Sequence, residues 1–86
     1  MILVKTVLWL ELKFPRFKEI LDEILPKNSV IRVYEKRYNG EIVIYVEIEC
    51  NRKSVRYAFL PIEDKERFYR SLEDDLKRIV EKEFCV

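Results

Sequence analysis

The dipeptide Asn39-Gly40 constrains this chain more than any other feature, because it separates two stretches rich in β-branched and aromatic residues, Val30–Tyr38 and Glu41–Cys50. Asn and Gly tolerate the positive φ that both central positions of a type I′ turn demand, so the segment reads as a tight β-hairpin. A turn of that length fixes the register, and partners across the ladder share a face. Ile31 then faces Ile48 and Val33 faces Val46, with Glu35–Ile44 and Arg37–Ile42 continuing the same apolar-rich side. Tyr34 with Tyr45, Arg32 with Glu47 and Lys36 with Val43 occupy the other side.

The remaining elements are placed around this hairpin. Asn51 to Ser54 reads as a four-residue loop into a fourth strand, which pairs Cys50 with Val55, Ile48 with Tyr57 and Val46 with Phe59, and sets Arg56 opposite Glu49. The strand after the Asn-Gly turn is therefore central. At the N-terminus, residues 2–14 alternate on the even numbers, from Ile2 and Val4 to Leu12 and Phe14, while Lys5, Val7, Trp9, Glu11 and Lys13 fall on the odd side. That alternation predicts one long strand with a buried even face. Pro15 and Pro26 bracket a short helix over about residues 16–25, whose Phe17, Ile20, Leu21, Ile24 and Leu25 recur at helical spacing. A second helix starts at the N-cap candidate Asp64 and carries Phe68, Leu72, Leu76, Ile79, Val80 and Phe84 on one stripe. Its polar face sets an acid four residues before a base at Glu66/Arg70, Glu73/Lys77 and Asp74/Arg78, pairs worth about 0.2–0.5 kcal/mol each. The reading is one α+β domain over residues 1–86, a two-layer sandwich in the order β-α-β-β-β-α. Its four-stranded mixed or antiparallel sheet carries two helices on one face. The residues leave open whether the first strand lies beside the second or the fourth.

Composition agrees with a folded domain. Of 86 residues, 49% are hydrophobic and 38% charged, with one glycine and three prolines, which leaves little room for disorder. The absence of Gln and His, beside abundant Glu, Lys, Arg, Ile and Val, is the balance expected of a hyperthermophile protein. Seventeen basic residues against sixteen acidic ones give a formal charge of +1, so attraction to nucleic acid has to come from a local patch. Lys5, Glu11 and Lys13 interrupt the apolar start and no small-residue cleavage site follows, so no signal peptide is expected. No apolar run suits a membrane helix. A cytoplasmic protein without membrane contact is the expectation.

Catalytic chemistry finds few carriers. Without His there is no Ser-His or Cys-His nucleophile and no imidazole general base or metal ligand. The sole glycine, Gly40, belongs to the hairpin turn, so no phosphate-cradling loop can be written. Two cysteines, Cys50 and Cys85, fall short of a structural zinc site; they are read as free thiols or, where the last helix returns to the third strand's end, as a disulfide. Glu35 and Arg37, on the core side near the hairpin tip, read as a partly exposed ion pair. No catalytic residue, metal or cofactor is expected, and a non-enzymatic role is preferred.

The open face of the sheet is the candidate site. Lys5, Val7 and Trp9 of the first strand, Arg32, Tyr34 and Lys36 of the second, and Tyr45 of the third interleave aromatic and cationic side chains. An apolar centre of Val7, Trp9, Tyr34 and Tyr45 suits contact with itself or another protein, as a homodimer or as a small subunit of a larger assembly. The alternative is an RNA-binding or RNA-cleaving domain that stacks single-stranded RNA on the aromatics while the cations hold phosphates. Glu11, Glu47 and Glu49 on the same face oppose that alternative.

Overall fold

The computed structural model describes residues 1–61 and 63–84. Its elements are β1 (Ile2–Lys5), α1 (Leu8–Lys13), α2 (Phe17–Ile24), β2 (Val30–Tyr38), β3 (Glu41–Cys50), β4 (Lys53–Phe59) and α3 (Lys65–Ile79), which runs on into a π-helical turn at Val80–Phe84. The four strands form one mixed sheet in the order β1-β2-β3-β4, with β1 parallel to β2 and the other pairs antiparallel. The fold is α+β, with β1 beside β2.

The β2–β3 hairpin has the register expected from its turn, from Val30 opposite Glu49 to Tyr38 opposite Glu41. Asn39 and Gly40 take φ of 49° and 83°, the left-handed pair that a type I′ turn requires. The β3–β4 connection is a correction. Cys50 pairs with Lys53, Ile48 with Val55 and Val46 with Tyr57, so the turn holds only Asn51 and Arg52, both at positive φ. An arginine in that region is uncommon, and nothing about it signals a tight turn. The shift is two residues, so every side chain keeps its face while Arg56 moves from Glu49 to Glu47.

The N-terminal segment is the larger correction. β1 ends at Lys5, and the chain then turns at Val7, whose carbonyl accepts from the amides of Leu10 and Glu11 to open α1. Leu8 and Leu12 are 67% and 73% exposed whereas Leu10 and Phe14 are fully buried, a helical rather than an alternating pattern. Residues 8–13, Leu-Trp-Leu-Glu-Leu-Lys, contain no β-branched side chain and include the strong helix formers Leu, Glu and Lys. Helical packing also satisfies the core better: Val7, Leu10 and Phe14 converge on it.

That core lies between the sheet's inner face (Ile31, Val33, Ile44, Val46, Ile48) and the helices, through Phe17, Ile20, Leu21, Phe68, Leu72 and Leu76. Phe14, Phe59, Phe68 and Tyr69 meet at its aromatic end, with Phe14 and Phe68 4.2 Å apart between ring centroids. Asp64 caps α3 by accepting from the Arg67 amide, as its sequence position suggests. The ion pairs among the described residues are Arg32–Glu49 at 3.8 Å and Lys53–Glu83 at 2.8 Å; the three acid–base pairs along α3 do not close. Tyr57 on β4 donates to Asp75 on α3, and burial followed by that carboxylate pushes its phenol well above the usual range. Cys50 is buried and its thiol approaches Asn28 Oδ1 at 3.4 Å; the expected bridge involves Cys85, outside the described residues.

Candidate functional site

Alternation along β2, β3 and β4 sends Tyr34, Tyr45 and Arg56 to the face that no helix covers. Tyr34 and Tyr45 are direct cross-strand partners, and their rings stack with centroids 5.3 Å apart and planes 16° from parallel. Lys5, at the end of β1, places Nζ 5.8 Å from the Tyr34 centroid, while Arg56 on β4 lies 5.3 Å from that of Tyr45. The result is a row, Lys5–Tyr34–Tyr45–Arg56, that crosses all four strands with a cation at each end. Lys36 sits beside it, 5.9 and 5.7 Å from the two ring centroids. Each contact falls within cation–π range.

The hydroxyls and charges lock this row. The Tyr45 hydroxyl donates to that of Tyr38 at 3.3 Å, which together with partial burial holds the Tyr45 phenol above its ordinary value. The Tyr34 hydroxyl beside Arg56 raises that guanidinium further still. At neutral pH the Tyr45 ring is therefore neutral and Arg56 stays cationic. Arg32 lies on the same face but is engaged by Glu49, and Glu47 stands opposite Arg56.

Five of the seven expected site residues, Lys5, Arg32, Tyr34, Lys36 and Tyr45, share this face. Val7 and Trp9 do not, which corrects the expectation. Val7 is 7% exposed and belongs to the core. Trp9 rides on α1, packs against the core and donates from Nε1 to Glu35 Oε1 at 3.2 Å. The cause is the helix that replaces the end of the expected strand. It also covers Glu35, so the expected Glu35–Arg37 ion pair is absent; Glu35 is partly buried and bonded to the indole, while Arg37 is exposed.

Arg56 and Tyr38 are the contributors that the sequence leaves out. The longer loop expected before β4 set Arg56 opposite Glu49, two residues too far from Tyr45. Tyr38 signals itself only through its place beside the turn.

A second feature adjoins the row. β2 runs on past Arg32, where its pairing with β1 stops, and the chain from Lys5 to Trp9 leaves the sheet there. Lys5, Thr6, Val7, Leu8, Trp9, Tyr34 and Glu35 line a cleft of about 320 Å³ at this point. Among the described residues no group of three or more His, Cys, Asp and Glu side chains is placed to hold a metal ion, and no helix is long and apolar enough to cross a membrane. Compared with protein-family models, curated proteins and solved structures, the chain matches none.

Proposed function

We propose that the chain is a binding module that takes single-stranded nucleic acid on its open sheet face, with Tyr34 and Tyr45 meeting bases and Lys5, Lys36 and Arg56 meeting phosphates. The observation that carries this reading is the row of two stacked tyrosines flanked by cations on a face that no helix covers. Aromatic side chains in a basic groove are the means by which proteins hold unpaired strands with little sequence preference. The contact reading of the same face drew its apolar centre from Val7, Trp9, Tyr34 and Tyr45, of which Val7 and Trp9 lie elsewhere and the two tyrosines remain. What surrounds the two rings, Lys5, Lys36 and Arg56, complements a phosphodiester better than an apolar partner, while Glu47 and Glu49 on the same face oppose the phosphodiester.

A protein contact retains one specific support, away from the row. Ile2, Val4, Leu8 and Leu12 are large apolar side chains between 55% and 73% exposed, all in the N-terminal segment, and such exposure marks contact with a second copy or a larger partner.

The test is a backbone amide NMR titration at low salt with an unstructured RNA of roughly eight nucleotides, within the usual site size. Shifts centred on Tyr34, Lys36, Tyr45 and Arg56 are expected, and Tyr45→Ala is expected to weaken binding about fivefold or more, the loss of one base stack. Concentration-dependent shifts at Ile2, Val4, Leu8 and Leu12 with no response to RNA would instead assign the chain to protein contact.

A further inference from the structure

Among the described residues the sheet has two unpaired edges, since β1 neighbours only β2 and β4 only β3. Such an edge offers a row of backbone donors and acceptors to another strand, and charged side chains along it are a usual guard. β4 carries exposed Lys53 and Arg56. β1 is guarded only by its length of four residues, by the register shift at Val4 and by Lys5 at its end. The side chains it exposes before Lys5 are apolar, Ile2 at 61% and Val4 at 55%. Leu3, on the core side opposite Ile31, lines a groove of about 580 Å³ with Met1, Pro15 and the exposed Lys18, Glu19 and Asp22 of α2. One flank of the molecule thus combines an open strand edge, an apolar groove floor and a rim of mixed charge.

We propose that this flank docks a second copy of the chain, with the two β1 strands antiparallel about a two-fold axis at Leu3. A two-fold contact sets a patch against itself, so the patch has to supply both members of every pair. This one does. With Leu3 beside Leu3, Ile2 of each copy lies against Val4 of the other, and the exposed apolar side chains of the edge cover one another. The second copy's Leu3 keeps to the core side and so enters the groove beside the first. Lys18 and Asp22, one turn apart on the stretch of α2 that lines the groove with Leu3, are exchanged by the same axis, which turns Lys18 of each copy toward Asp22 of the other. Glu19, nearest the axis, adds an acid beside the same lysine. The pairing joins two four-stranded sheets into one and makes their open faces continuous, with Lys5 of each copy at the seam. The contact uses neither Tyr34 nor Tyr45 and does not rest on the nucleic-acid reading of that face.

The experiment is sedimentation equilibrium of the whole chain over a micromolar to millimolar dilution series, without nucleic acid. A reversible dimer is expected. Val4→Lys, at an exposed edge position, is expected to weaken it roughly tenfold, because the two-fold axis removes two apolar cross-strand pairs at once. Lys18→Glu and Asp22→Lys each set like charges across the axis and are expected to weaken the dimer about threefold to tenfold, while the double variant Lys18→Glu with Asp22→Lys returns it to native strength. All three positions are exposed, and the rescue is a result that a general loss of stability does not give. A chain that stays monomeric at every concentration would overturn the proposal and leave the β1 edge to an extended segment of another protein. A dimer indifferent to Val4→Lys would place the contact elsewhere and overturn it equally, as would charge variants whose effects add instead of cancelling.

Discussion

Tyr57 shows how a single side chain ties the two layers together. Its hydroxyl donates to Asp75 across the gap between β4 and α3, and burial with the neighbouring carboxylate raises its pKa. A phenol whose pKa is higher in the folded state stabilises the fold fully below its unfolded value of about 10 and loses that contribution as pH climbs toward the folded value. Denaturant midpoints measured across the alkaline range are therefore expected to fall above about pH 10, and Tyr57→Phe is expected to flatten that decline at the cost of some stability at neutral pH. An equally steep decline in the variant would place the alkaline sensitivity elsewhere. The same scale explains why Arg56 escapes the sequence. Its role depends on standing diagonal to Tyr45, opposite Glu47, rather than two residues farther along opposite Glu49, and that offset depends on Arg52 adopting a φ of 67°, which no residue type near it announces.

At the scale of elements, legibility followed the strength of local chemistry. The β2–β3 hairpin, its register, the helix between the two prolines and the Asp64 cap can be read because each rests on a residue whose backbone or side chain permits little else. The N-terminal segment cannot be read from alternation alone. Every second residue from Ile2 to Phe14 is apolar or Thr, yet Leu10 and Phe14 are also four apart, and tertiary packing selected the helical set. The available signal was the distribution of β-branched residues, which stop at Val7. The candidate site inherits the same division: its tyrosine pair was legible from the hairpin, whereas Trp9 was misplaced with the strand that carried it. A pair of substitutions separates the two conformations. Leu10→Ala is expected to cost about 2–5 kcal/mol, the range for a buried leucine, and Leu12→Ala well under about 1 kcal/mol. A single long strand with a buried even face would make both costly, so comparable losses in chemical denaturation would contradict the helix.

For the whole molecule, a net charge of +1 gives no long-range pull on an anion, so binding to a strand of phosphates has to arise from how charges are distributed. The open face gathers Lys5, Lys36 and Arg56 around the two stacked tyrosine rings, while Glu49 engages Arg32 and Glu47 stands opposite Arg56. Three unpaired cations set a quantitative expectation, since each phosphate contact to a single strand contributes a slope of about −0.7 in log affinity against log salt. The most direct measurement is the anisotropy of a labelled single-stranded RNA titrated with the protein at several salt concentrations. The account predicts a slope of about −2, falling in magnitude by about 0.7 in Arg56→Ala. Binding that is absent at low salt, or whose slope is untouched by Arg56→Ala, would contradict it.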